Sequence, residues 1–170
     1  MGSLEGVVDT RSAWIGKHEV VEVRFRPDVT PYAKLIDTAL EHGCADRVWT
    51  TTEAQLALAM SKKKVAGKVE RLEGQTRAAK ASDQLYYLER SPYRYVPLTP
   101  LQARRVNGAL YLKQEPKRWL SPRQRELLTK IEAGLDGGAE AFADLTRPTS
   151  IDGLENYETA LRARLDAAAR

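Results

Sequence analysis

The sequence predicts an α+β domain over residues 1–97 followed by a helical extension over residues 98–170. Three observations predict it. Residues 7–25 hold two strand-like runs separated only by Gly16-Lys17. Residues 32–40 carry apolar side chains at helical spacing. Beyond residue 97 the same helix-start device occurs twice, as Thr99-Pro100-Leu101-Gln102 and Ser121-Pro122-Arg123-Gln124.

Val7 to Ile15 is rich in β-branched and aromatic residues on both faces, as a half-buried strand requires. His18 to Phe25 alternates, with Val21, Val23 and Phe25 on one face and Glu22 and Arg24 on the other. So short a connection makes the pair a hairpin. Arg26-Pro27-Asp28 ends it, because proline cannot continue a paired central strand. Thr30 is placed as an N-cap and Pro31 at the first helical position. Tyr32, Leu35, Ile36, Ala39 and Leu40 then form one apolar stripe, and Gly43 closes the helix. Arg47 to Thr50 reads as a third short strand, and Thr52 caps a helix running through Gln55, Leu56 and Met60. Ser61-Lys62-Lys63-Lys64 and Gly67 break the apolar pattern.

In each of the two later devices the hydroxyl accepts the N–H ahead of it, while the glutamine three residues on reaches back to the cap's own N–H. The helices behind them bury Ala103, Val106 and Leu110, and Leu127, Leu128 and Ile131. Gly134 to Gly138 reads as a C-cap and linker. A last helix begins near Leu154, with Tyr157, Leu161 and Leu165 on one stripe.

Composition excludes several classes of protein. Charged residues make up 29% and hydrophobic residues 42%, ordinary for a globular chain. No apolar run approaches the ~18 residues of a membrane span, and no basic-then-apolar leader opens the chain, so a cytoplasmic protein is expected. One cysteine, Cys44, and two histidines leave no intramolecular disulfide and no expected metal or cofactor site. The net charge of +4 is unevenly spread. Residues 61–80 carry seven basic and two acidic groups and residues 99–131 carry eight and two, between acidic ends. Two readings stay open for these blocks: solvated helix faces, or a surface for acidic partners or nucleic acid.

Gly6 to Pro27, GVVDTRSAWIGKHEVVEVRFRP, and Tyr86 to Tyr95, YYLERSPYRY, resemble segments of the A-type peptide methionine sulfoxide reductases, most closely a divergent thioredoxin-like branch. The resemblance covers residues 6 to about 96, roughly half the chain. It implies a ferredoxin-like sheet lacking its opening strand and helix at the N-terminus. In that family a Gly-Cys-Phe-Trp strand, carrying the nucleophile, precedes the GVV strand, and Met1 falls near the end of the helix between them. The implied activity is thiol-based reduction of methionine sulfoxide, free or in a protein, with an external thiol as reductant. The nucleophile has no counterpart here, and Val96 stands at the resolving-cysteine position, so the chain as given is expected to be inactive.

His18-Glu19-Val20-Val21 matches the family's Gly-His-Ala-Glu-Val-Val segment with one residue deleted, which makes Glu19 the counterpart of the catalytic carboxylate. Thiolate attack on a sulfoxide sulfur needs a proton at the oxygen, and a buried carboxyl with a raised pKa delivers one. A solvated strand-edge glutamate is the alternative. Trp14 stands where the family packs the substrate methyl group on an aromatic ring, or else it is a core residue. Tyr86, in the stretch Asp83 to Leu88, is the second substrate-binding candidate, with packing against the sheet as its alternative. Cys44, after His42-Gly43, is either a thiol at the old active-site rim or a buried inert residue. A helix C-terminus disfavours the thiolate there. The competing function is a non-catalytic interaction module acting through the basic helices.

Overall fold

Strands β1 (Val7–Ile15) and β2 (His18–Phe25) pair antiparallel in the computed structural model, which describes residues 1–136 and 142–168. The register runs from Ile15 opposite His18 to Val7 opposite Phe25, with a bulge between Val7 and Asp9. Gly16 turns the chain at φ +57, a conformation that costs a side-chain-bearing residue far more. The alternation sets the pairing but not the burial. Val21 is 54% exposed, whereas Glu22 on the other face is half-buried and bound by Arg11 and Thr76.

Two compact units divide the chain, Ser3–Lys80 and Ala81–Arg170. The division therefore falls seventeen residues before the boundary expected at residue 97. The reason is packing: Leu88, Tyr93, Tyr95 and Val96 belong to the hydrophobic core of the helices that follow.

In the first unit, α1 (Tyr32–Glu41) buries Leu35 and Ile36. Its N-cap is Pro31, not Thr30. The Thr30 hydroxyl donates instead to the Glu5 carbonyl at 2.7 Å, in a place where Gly6 sits at φ +78. A Cβ on Gly6 would lie 2.9 Å from that hydroxyl, so glycine alone fits. Gly43, at φ +63, ends α1. Its N–H reaches the Leu40 carbonyl and that of Cys44 the Ala39 carbonyl, which is a Schellman motif.

Strand β3 (Val48–Thr50) leads into α2 (Glu53–Met60), whose first turn is capped by Thr52 as predicted. The chain returns as β4 (Val69–Arg71), parallel to β3. Ion pairs Arg47–Glu70 and Arg71–Glu53 flank this crossover. Strand β5 (Arg77–Ala78) then lies antiparallel to β1 at Ala13 and Trp14. The strands thus form two sheets, β2-β1-β5 and β3-β4. β3 does not extend the hairpin sheet, and it is β5 that pairs with the second edge of β1.

The second unit is an α-helical body: α3 (Tyr86–Glu89), α4 (Pro100–Tyr111), α5 (Pro122–Asp136) and α6 (Leu154–Ala168). Leu98, Val106, Leu127, Leu128, Ile131, Phe142 and Leu161 form the heart of its core. Leu110 packs against that core while remaining partly exposed. Both capping boxes are present, and the two glutamines pair. Gln102 Nε2 donates to Gln124 Oε1 at 2.9 Å, and Gln124 Nε2 donates to Gln102 Oε1 at 3.1 Å. Gly134 is no cap, because α5 continues to Asp136 and the Phe142 ring lies where a Cβ on Gly134 would point. Residues 137 and 138 of the expected linker lie outside the described residues.

Candidate functional site

The strand register builds a row of three unlike side chains. Trp14 lies opposite Glu19 of β2 and opposite Arg77 of β5, so the three share one face of the sheet with the indole in the middle. Directly opposed residues in an antiparallel pair have Cβ atoms about 5 Å apart, within reach of one small ligand. The Arg77 guanidinium carbon lies 5.8 Å from the centre of the Trp14 ring, a cation–π contact. Trp14 is half-buried, and Glu19 and Arg77 are exposed. Val21, the exposed valine, is on this same face two residues along β2 from Glu19. An apolar ring with a carboxylate on one side and a guanidinium on the other accepts a ligand with a small apolar group beside a polar, electron-rich atom.

The opposite face of the hairpin tip borders an open cleft of about 410 Å³, lined by Ile15, Trp49, Glu70, Arg71, Leu72 and Glu73. The His18 and Trp49 rings stand 5.5 Å apart, and the Arg47 guanidinium carbon lies 5.7 Å from the centre of the Trp49 ring. Trp14 and Glu19 are not among the walls of this cleft. Glu19 and Trp14 therefore share a face of the strands, and it is not the one that borders the cleft.

Two burial expectations are corrected. Glu19 is exposed rather than buried, on β2, an edge strand of the three-stranded sheet. Cys44 is exposed rather than buried, since the Schellman turn carries the chain outward after α1. Its thiol faces the His42 carbonyl at 3.6 Å, among the carbonyl groups of the α1 C-terminus.

Tyr86 belongs to the second unit, whereas Trp14, Glu19 and Cys44 lie in the first. Within its unit Tyr86 is exposed, and the neighbouring Tyr93 and Tyr95 are the tyrosines that pack into the core. Burial, with Glu115 and Glu132 nearby, pushes the Tyr93 hydroxyl up to about 12. Burial also raises Tyr157, to about 12, while its hydroxyl donates to the Tyr95 carbonyl at 3.0 Å.

The residue missed from sequence is Arg77. A two-residue strand leaves no periodic signal, so nothing in the chain announces that this arginine pairs with Trp14. Trp49 was read as a strand residue, and the cleft it lines follows only from the β3-β4 pairing. Among the described residues no three histidine, cysteine, aspartate or glutamate side chains come together as metal ligands, and no helix is long and apolar enough to cross a membrane. No family model, curated protein or solved structure matches the chain.

Proposed function

We propose that the first unit is a sulfoxide-binding domain related to the A-type peptide methionine sulfoxide reductases, and that it binds methionine sulfoxide without reducing it. The observation that carries this reading is the row Glu19–Trp14–Arg77. The resemblance of residues 6–27 and 86–95 to that family supports it independently. The sulfoxide methyl group packs on the Trp14 indole, and the oxygen, which bears most of the negative charge, accepts from the Arg77 guanidinium. Glu19 is left to hold a donor of the substrate backbone or, when protonated, the oxygen itself.

Turnover needs more than this row. In reduction the oxygen passes from the sulfoxide to an attacking thiol, giving the thioether and a sulfenic acid. Two external thiols then return the sulfenic acid to thiol, releasing water and a disulfide. Cys44 is the sole thiol of this sequence, and it follows the C-terminus of α1, apart from the Glu19–Trp14–Arg77 row that the strand register builds. The cytoplasm, where thiols are kept reduced, is the compartment this reading calls for.

The test is an NMR titration of the indole N–H resonances with a peptide carrying the S-epimer of methionine sulfoxide. Saturable shifts at Trp14 are expected, lost in Trp14→Ala and weakened several-fold in Arg77→Ala. Equal binding of the unoxidised peptide would overturn the assignment. With dithiothreitol and dabsylated methionine sulfoxide no reduction is expected. Reduction that Cys44→Ser abolishes would show Cys44 to be a nucleophile and this to be an enzyme.

A further inference from the structure

Three tyrosine rings of the second unit stand together on the surface. Tyr86 is 47% exposed, Tyr87 42% and Tyr111 40%. Tyr86 meets Tyr87 edge to face at a centroid distance of 5.2 Å, and Tyr87 meets Tyr111 at 5.3 Å with a tilt of 55°. Isolated exposed aromatics are ordinary, but a contiguous run of three is a surface kept open at a cost in solvation. Tyr93 and Tyr95, a few residues along the same segment, are buried, so the chain does not lack room in its core for tyrosine.

The platform is held in shape. Leu85, at φ 53, cannot cap α3, and the Asn107 side chain on α4 does so instead. Its oxygen accepts from the Tyr87 and Leu88 amides, both at 3.0 Å. That bond fixes α3, which bears Tyr86 and Tyr87, against α4, which bears Tyr111.

Cations border the rings. The Arg90 guanidinium lies 3.5 Å from the centre of the Tyr86 ring and donates to the Tyr86 carbonyl at 3.2 Å. Arg104 precedes Asn107 by three residues and Tyr111 by seven, so it shares their face of α4. Lys113 follows Tyr111 at the helix end. Three acidic groups lie nearby in the chain, among them Glu115, two residues past Lys113, which accepts from the Lys117 N–H. Glu89 is bound by Arg147 at 3.1 Å, with Arg94 at 4.0 Å, and Asp83 precedes α3 in the turn with Ser82. The whole segment 99–131 carries eight basic and two acidic side chains.

We infer that this platform binds single-stranded nucleic acid, with bases stacking on Tyr87 and Tyr111 and phosphates held by Arg90, Arg104 and Lys113. Every base offers a π-face, so such stacking tolerates sequence, and the cationic border supplies the attraction to phosphate. A duplex hides those faces, and a proline-rich peptide has aromatic affinity but no charge for the border to meet.

The experiment is fluorescence polarisation of a labelled, mixed-sequence 20-nucleotide single strand, as DNA and as RNA, with the full chain. Binding in the micromolar range at 50 mM salt is expected. Three phosphate contacts to a single strand give a salt slope of about −2, or roughly a 20-fold loss of affinity at 200 mM. Tyr87→Ala and Tyr111→Ala should each weaken binding about tenfold, and Tyr111→Phe, which keeps the ring, should restore it. Arg104→Gln should flatten the salt slope by about 0.7. Circular dichroism of each variant confirms that the exposed substitution leaves the helices intact. Absence of binding at 100 µM protein, equal affinity for the duplex, alanine variants that bind like the parent, or capture of a proline-rich peptide in place of the strand would each overturn the assignment. The Trp14 titration reads a row of the first unit, so failure here and failure of the sulfoxide reading are distinguishable.

Discussion

The two units hold themselves together by different means. In the helical unit, Phe142, Leu88, Leu98, Leu128, Ile131 and Leu161 are each sealed from solvent within one continuous core. In the sheet unit the sealed side chains are small: Val7, Val65, Thr30 and Thr50, joined by Ala13 and Ala59. Beside the burial of Leu35 and Ile36 on α1, its cohesion comes from strand pairing, the Thr30–Glu5 hydrogen bond and exposed ion pairs such as Lys62–Asp37 at 2.7 Å. Apolar burial stabilises by about 25 cal/mol per Å², while an exposed ion pair contributes on the order of 0–1 kcal/mol. The helical unit should therefore be the stable part of the chain and the sheet unit the one that opens first.

The largest effect expected is in the helical core. Leu128→Ala should cost about 3–4 kcal/mol, the sum of lost transfer energy and a cavity. Hydrogen exchange by segment measures it: α4 to α6 amides should be the slowest of the chain in the parent and speed up sharply in the variant. If the hairpin amides are equally slow in the parent, the contrast between the units does not hold.

Next comes Gly6→Ala in the sheet unit, where φ +78 and the approach to Thr30 act together. A loss of roughly 2 kcal/mol is expected, enough to open a marginal unit while leaving the helices folded. Loss of the hairpin resonances with the helical signal retained would be the signature. Simultaneous loss of both would show that the two units unfold as one.

Alkali should bear on the helical unit in a defined window. Tyr93 and Tyr157 are held neutral to about 12, against about 10 in an unfolded chain. The unfolded state binds fewer protons between those values, so stability falls as pH rises there. The contribution is complete below pH ~10 and is lost as pH climbs through about 12. Urea unfolding at pH 9 and pH 11 should show the decline, smaller in Tyr157→Phe. Tyr32 of the sheet unit is also shifted upward by burial.

The smallest change runs the other way. Lys113 stands at φ 53 just past α4, with its N–H on the Leu110 carbonyl and that of Gln114 on the Ala109 carbonyl. That is the same helix ending Gly43 makes after α1, built on a residue that strains to adopt it. Lys113→Gly should gain about 0.5–1 kcal/mol, read as a small rise in the melting midpoint of the helical unit.

Legibility in the sequence followed the same division. Helices α4, α5 and α6 were readable because capping boxes and apolar stripes are local signals that the core reinforces. The hairpin was readable as pairing, yet the burial of its faces was not. Val21 alternates like a core residue yet is 54% exposed, while Phe25 on the same face stacks on Tyr32. Strands β4 and β5, three and two residues long, carry no period and exist only through partners far along the chain. For that reason Glu19 and Trp14 could be named as a pair while Arg77, which completes their row, could not. Gly134 misled because a glycine that makes room for Phe142 looks the same in sequence as one that ends a helix.

The paired glutamines restrict what these two positions accept. A capping box ordinarily takes glutamate as readily as glutamine, since only an acceptor is needed at that site. Here Gln102 Nε2 also donates to the Trp119 carbonyl at 3.1 Å, and Gln124 Nε2 to the Pro97 carbonyl at 2.7 Å. A carboxylate at either position would keep its own helix start but strand a carbonyl and set its negative oxygen against the partner amide's oxygen. Spontaneous deamidation of one glutamine, a change of a single atom group, would therefore leave both capping boxes their acceptors and disturb the contact between the two helix starts. The two residues, 22 apart in the chain, are bound to drift or to stay together.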